Sequence, residues 1–160
     1  MSFEPIGVVR SSHASAKGTP IQPRFAEGCR GRIELRPELA EGLLDLEGFD
    51  RIWIIYLLDR TAFRDLKIVP YRDTQPHGIF ATRAPARPNP IGLSCVRLRG
   101  IRGHILDIEE VDILDGTPVL DLKPYIPEYD AYPEAKAGWV EAEAVRQGPR
   151  VADERFEVKP

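Results

Sequence analysis

The chain is poor in the residues that staple small folds or hold metals. It has two cysteines, Cys29 and Cys95, and three histidines, His13, His77 and His104. The cysteines lie far apart and the histidines are scattered, so no disulfide framework and no structural metal is expected. Both thiols are read as free, in a reducing, cytoplasmic compartment. Long apolar runs are also missing. The longest runs from Ile52 to Leu58, far short of the roughly 20 residues that span a membrane. No membrane partner is expected. The first residues, Met-Ser-Phe-Glu-Pro-Ile-Gly, lack a basic stretch followed by an apolar one, so no signal peptide is expected. Missing as well are the glycine-rich dinucleotide turn, the phosphate-binding loop and the nucleophile elbow. A large charge of one sign is absent: the net charge is −3, which gives no support to strong non-specific nucleic-acid binding.

That small net charge hides an asymmetry. Asp59 to Gly103 carries nine Lys or Arg against three Asp or Glu, whereas His104 to Ala144 carries two against eleven. A basic half beside an acidic half permits a phosphate-bearing partner on one side only.

Proline is what the chain has in excess. Fifteen of 160 residues is about twice the usual share of roughly 5%. This argues against a helical bundle and for short strands joined by loops. Three prolines, Pro85, Pro88 and Pro90, fall between two apolar runs in the stretch Gly78 to Leu93. Each fixes its own φ, removes a backbone donor and pushes the preceding residue to extended geometry. The stretch is therefore read as a stiff, extended loop that presents Arg83, Arg87 and Asn89. A binding loop and a plain connection with solvated arginines are both compatible with this stretch alone.

In chain order, Pro5 to Arg10 reads as a first strand, with Gly7 allowing a bend or a close approach. Thr19 to Phe25 is a second proline-stiffened segment. Arg30 to Leu35 alternates as a half-buried strand, and Pro37 to Leu44 as a short helix with proline in its first turn. Arg51 to Leu58 is β-branched and aromatic on both faces, so it is expected to be central and covered on both sides. It ends in Asp59-Arg60, read as an edge of the fold or, less favoured on spacing, the lip of a pocket. Lys67 to Tyr71, Gly78 to Thr82, Ile91 to Leu98, His104 to Asp112 and Val119 to Tyr125 are further strands. Gly92 is expected to mark a bulge or a close contact, and Asp115-Gly116 a hairpin turn. Ala135 to Val145 and Val151 to Val158 are weakly patterned, read as a strand plus a loose tail or short helix. The fold expected is mainly β: a closed or nearly closed barrel of short strands with one short helix and proline-rich loops. Residues 1–145 are read as the barrel domain and 146–160 as its C-terminal extension.

Polar residues stand at strand ends and proline loops: Gln22 with Arg24, Asp59 with Arg60, Arg83 with Arg87 and Asn89, and Asp121 with Lys123. As surface pairs they are worth little. If they converge, they line one polar pocket.

Four stretches carry a resemblance: Thr19 to Ala26, Gly48 to Tyr56, Phe80 to Ser94 and Asp115 to Tyr125. They resemble the TsaA-like, or TrmO, family, in the same order over about residues 4 to 130. The resemblance implies a homodimeric β-barrel methyltransferase that uses S-adenosylmethionine. The activity it implies is methylation of the exocyclic nitrogen of threonylcarbamoyl-adenosine, beside the anticodon of a threonine tRNA. It assigns the cofactor to Gln22, Pro23 and Arg24, to Asp59 and Arg60, to Arg83 and Leu93, and to Asp121, Leu122, Lys123 and Pro124. The family often has a histidine where this chain has Asp59. An aspartate supplies an acceptor and adds a negative charge near a sulfonium.

Within that reading, Asp121 is the candidate base, with cofactor hydrogen bonding as its other role. Arg83 and Arg87 are expected to hold a carboxylate in bidentate fashion, and Arg87, Asn89 and Tyr125 to meet the substrate. Two other readings keep the cofactor, one with a small-molecule acceptor and one as a regulatory module without turnover. A basic rim around the pocket favours tRNA. An enclosed, narrow pocket favours a small molecule.

Overall fold

The computed structural model describes residues 2–61 and 63–157. Six strands close a barrel: β1 (Gly7–Ser11), β2 (Arg30–Leu35), β3 (Arg51–Leu57), β6 (Ile91–Arg102), β7 (Ile105–Glu109) and β8 (Pro118–Pro124). Their order around the wall is β1-β2-β7-β6-β3-β8, with β8 returning to β1. Every pairing is antiparallel. Two further strands, β4 (Lys67–Ile68) and β5 (His77–Gly78), form a separate ribbon. Among the described residues, no helix is long and apolar enough to cross a membrane.

Alternation builds the interior. Val9, Ile33, Ile52, Ile54, Val96, Leu106, Ile108 and Val119 point inward and are almost wholly buried. The opposite face of β3 is only half-covered. This corrects the expectation of a strand buried on both sides: in a barrel wall, one face of each strand looks out. Two glycines mark close approaches. A Cβ on Gly7 would lie 2.3 Å from the Glu34 carbonyl oxygen, and one on Gly92 would lie 2.2 Å from the Tyr56 ring. The Gly92 site is thus the close contact that the sequence suggests.

Other elements differ from the sequence reading. Of Gly78 to Thr82 only Gly78 is strand, in β5; Ile79–Ala81 is a single 3-10 turn, closed by Thr82 N–H on the Ile79 carbonyl at 3.1 Å. Ile79 is buried and Phe80 is 77% exposed, so the apolar pair does not pack as strand neighbours. Pro37–Leu43 is 3-10 rather than α, and further short helical turns occur, among them α1 (Pro127–Asp130) and α2 (Glu143–Arg146). Lys67 to Tyr71 keeps only two residues as strand. Asp115-Gly116 is a turn, with Gly116 at φ 78°. It joins strands that are not neighbours, so it crosses the barrel end instead of making a hairpin.

A second, smaller core lies under the proline loop, formed by Ile68, Ile79, Ala84, Ala86 and Phe156, with Tyr71 against it. Phe156 and Val145 are buried, so the C-terminal segment is packed rather than loose. Ala135 to Val145 is a 3-10 turn, Gly138–Glu141, followed by the start of α2, not a strand. Val158, the last residue of the expected tail, lies outside the described residues.

Candidate functional site

The proline loop is extended, and its alternation sets the site. Ala84 and Ala86 are buried in the second core. The residues between and around them, Arg83, Pro85 and Arg87, therefore line a cavity of about 300 Å³. It sits where β3 ends and β6 begins. The segment Thr19 to Gln22, the turn Asp112 to Leu114 and the C-terminal Ala152, Phe156 and Glu157 complete its wall.

Arg83 donates to the Gln22 side-chain oxygen at 2.7 Å, joining the two proline-stiffened segments. Arg87 points elsewhere. It donates to the carbonyls of Ile79 and Thr82 at 3.1 and 2.8 Å, and its guanidinium lies 5.9 Å from the Phe80 ring centroid. Its first role is to hold the loop. Arg60 donates to the Asp115 carbonyl across the barrel end. Asp59 and Arg60 both line the cavity, so the end of β3 is a pocket lip and not the edge that spacing favours.

The segment after β7 supplies what the sequence reading missed. Glu110 adopts a left-handed conformation, φ 64°, and turns the chain across the barrel end. Val111 and Ile113 then plug the core. The segment is pinned by His13, whose Nε2–H donates to the Val111 carbonyl at 2.9 Å, and by Ser11, whose hydroxyl donates to the Ile113 carbonyl at 2.7 Å. Asp112, between the two plugs, lines the cavity. One of its carboxyl oxygens is shielded from solvent and has no hydrogen-bond partner. Loss of water pushes its pKa up to about 7, opposed by Ser94, its own backbone N–H and the Arg83 charge. An unsatisfied buried carboxyl in a cavity is costly, and such groups concentrate where proton transfer occurs. Beside it, Tyr56 and Ser94 share a hydrogen bond of 3.1 Å. Burial pushes the Tyr56 phenol well above its ordinary range, so it stays neutral and can donate.

The cavity thus gathers Gln22, Asp59, Arg60, Arg83, Arg87 and Leu93 from the expected set. Other expected residues stand outside it. Pro23 is buried in a 3-10 turn next to Gln22, and Arg24 projects from that turn. Asn89 is exposed at the far end of the proline loop. Asp121 and Lys123 form an ion pair of 2.8 Å on the outer wall, Leu122 packs against the core, and Pro124 ends β8. Tyr125 packs edge-on against Trp53, with ring centroids 5.8 Å apart. The outer strip is nevertheless continuous with the cavity rim. Ile55 pairs with Leu93 on one side and with Asp121 on the other, which places these three in one outward row.

The arginines divide into two populations. Those of the barrel wall, including Arg10, Arg32, Arg51, Arg97 and Arg102, each meet a carboxylate. Among the described residues, Arg60, Arg83 and Arg87 at the cavity have no carboxylate within 4.0 Å, nor have Arg72 and Arg150 nearby. Asp107, Glu109 and Glu110 of the acidic half pair with wall arginines, whereas the cavity gathers arginines without such a partner alongside Asp59, Asp112 and Glu157.

The family model for the tRNA-methyltransferase O N-terminal domain matches residues 8–131. A Pyrococcus abyssi protein named "Probable S-adenosyl-L-methionine-binding protein" is 50% identical over 139 residues, covering 87% of this chain and 76% of that one. The mouse tRNA (adenine(37)-N6)-methyltransferase is 36% identical over 135 residues, 80% of this chain but 31% of the mouse protein. The crystal structure of TrmO from Pseudomonas aeruginosa superposes with a TM-score of 0.74 at 39% identity, over 87% of this chain and 62% of that one. The chain therefore spans less than two thirds of these last two proteins.

Proposed function

Because this chain belongs to the TrmO family, whose N-terminal domain it carries, we propose that it is an S-adenosylmethionine-dependent methyltransferase acting on a tRNA. Its acceptor on this reading is the exocyclic nitrogen of threonylcarbamoyl-adenosine beside the anticodon of a threonine tRNA. The observation that carries the choice of RNA is the collection of unpaired arginines at the cavity mouth, the basic rim that a polyanionic substrate needs. The relatives' names agree with both the cofactor and the tRNA.

The residues present fit the cofactor. Its carboxylate suits Arg83, whose present partner is the neutral Gln22, through charge-assisted hydrogen bonds. Its ammonium and sulfonium suit the carboxylates of Asp59 and Asp112, which line the same cavity. A volume of about 300 Å³ is at the small end for ligand sites, and the strip Asp121 to Pro124 lies outside it. A second copy of the chain, seated on the outward row of Leu93, Ile55 and Asp121, would bring that strip to the site. Leu93 and Ile91 are 45% and 43% exposed there, which supports a homodimer through this face.

When bound, S-adenosylmethionine supplies a methyl group on a sulfonium, and its transfer leaves a neutral thioether. The chain's residues do the rest. Arg83 and Gln22 fix the donor end, and alignment of donor and acceptor lowers the barrier by several kcal/mol. Methylation of the acceptor nitrogen requires that its proton leave. Asp112 takes it, since its carboxyl is in the cavity and has an oxygen free to accept. A positive charge brought nearby lowers its pKa and so favours the ionised, proton-accepting form.

The test is calorimetric titration with S-adenosylmethionine. Wild-type protein binds in the micromolar range, and Arg83→Ala weakens binding by about 10- to 100-fold, the worth of hydrogen bonds to a charged group. Wild-type protein that does not bind overturns the proposal. Asp121→Asn separates the two roles for that residue. Turnover at saturating cofactor survives while cofactor affinity falls, and a collapse in turnover at saturation would instead make Asp121 the base.

A further inference from the structure

Beside the first cavity lies a second, of about 560 Å³, with Phe25, Arg72, Phe80 and Trp139 in its wall. The two share Ile21, Gln22, Tyr71, Thr82 and Arg83, so one extended ligand can enter both. Among the described residues, no Asp or Glu lines the second cavity.

Its aromatic groups are held flat and still. The Trp139 indole is backed by the His77 ring, with centroids 4.3 Å apart and planes 20° from parallel. His77 is held in turn by the Asp73 carboxylate at 2.9 Å. The indole N–H donates to the Ala81 carbonyl at 2.8 Å. Two guanidiniums flank Phe25, Arg72 and Arg150, at 5.0 and 5.6 Å from its centroid. The Arg72 Nε is shielded from solvent and has no acceptor. Phe80 stands at the rim, 77% exposed, although an apolar ring of that size is normally covered.

Rigid aromatic planes beside arginines that have no carboxylate partner are the chemistry that recognises single-stranded RNA. Bases splayed from the strand stack on aromatic rings or guanidinium planes, and arginines neutralise the phosphates. We propose that the second cavity receives an unstacked nucleobase of the substrate RNA, a neighbour in the strand of the base that is methylated, with Trp139 and Phe80 as its stacking surfaces and Arg72 and Arg150 facing the backbone. This rests on the tRNA reading and adds a second contact to it. The site selects a strand that can splay two nucleotides at once, as a loop can and a duplex cannot.

The probe is a synthetic anticodon stem-loop of a threonine tRNA, carrying 2-aminopurine beside the methylated position. Its fluorescence is quenched when wild-type protein binds, as stacking requires. Trp139→Ala weakens RNA binding by about tenfold or more and removes most of the quenching, while the affinity for S-adenosylmethionine stays within about twofold. Phe80→Ala, a change at a side chain that is 77% exposed, weakens RNA binding in the same direction. If both variants bind RNA as the wild type does, or the wild type leaves the probe fluorescent, the inference is overturned and the tRNA reading stands. If the wild type binds the cofactor but not the stem-loop, the tRNA reading falls and this inference falls with it.

Discussion

Replacing Asp112 by asparagine lowers turnover by about 10²–10⁴-fold, the usual worth of a positioned general base, while the protein remains folded and binds its cofactor. The expectation follows from the environment of the carboxyl. It is held in the cavity between the buried plugs Val111 and Ile113, with one oxygen unpartnered. Arg83 is the charge acting on it, and Tyr56 and Ser94 are its polar neighbours. Desolvation raises its pKa to about 7, and only the ionised form accepts a proton. In the wild type, kcat/KM therefore climbs as pH rises through about 7, and the climb is absent from the variant's residual activity. Stability moves the other way. Between the unfolded carboxyl's pKa and about 7, the folded state binds more protons than the unfolded, so stability falls as pH rises. Asp112→Asn removes that loss. Its melting temperature exceeds the wild type's at pH 8, and the gap narrows toward pH 4. A variant that is more stable and less active cannot owe its inactivity to misfolding. Normal turnover in Asp112→Asn would remove Asp112 from the chemistry.

Gly92→Ala destabilises the fold. A Cβ there meets the Tyr56 ring at 2.2–2.7 Å, well inside contact distance. The obstacle is the body of an aromatic ring, not the end of a flexible chain. Tyr56 is buried, its hydroxyl bonded to Ser94, and β3 and β6 are paired at this point, Tyr56 opposite Gly92. The ring can move only by losing that bond or by parting the strands. Overpacking of this kind costs about 1–3 kcal/mol, a fall of several degrees in Tm for a chain of this length. Because Tyr56 also lines the cavity, cofactor affinity falls too. Thermal melts with and without S-adenosylmethionine show both effects. An unchanged Tm would mean that the β3–β6 wall yields more easily than its register suggests.

The barrel was legible where the residues alternate. Arg32-Ile33-Glu34-Leu35 reads as a strand, and β2 spans Arg30–Leu35 as expected. The proline loop was legible because proline restricts the backbone whatever surrounds it. The errors have physical sources. Ile79-Phe80 looks like strand by residue type, but a strand needs partners along its length, and only Ile79 finds a core. Asp112 lies in the most acidic part of the chain, where a carboxylate reads as solvated. Its burial comes from Tyr56 and Ser94, distant in sequence, and from the left-handed turn at Glu110. Trp139 sits in a segment without periodicity, and its partners, His77 and Ala81, lie about sixty residues earlier. No local pattern signals such contacts. Of the residues expected at the site, the cavity gathers Gln22, Arg83 and Arg87 from proline-stiffened segments, Asp59 and Arg60 at a strand end where spacing favoured an edge, and Leu93, which only the family resemblance indicated.

The barrel closes where Gly7 meets Val119 and Val8 meets Pro118, a seam of two residue pairs, against seven between β3 and β6. It joins the first strand to the last. As the chain leaves the ribosome, β1 can pair with β2 early, but its other edge waits until β8 has been made. Until β8 is made that edge of β1 has no partner, and bare edges invite pairing with other chains. The turn bearing Asp112 does not wait in the same way, since its pins, His13 and Ser11, are made long before it and do not belong to β8. Ring closure is therefore a late event, and a nascent chain stopped before β8 has the turn at Asp112 without a closed wall around it.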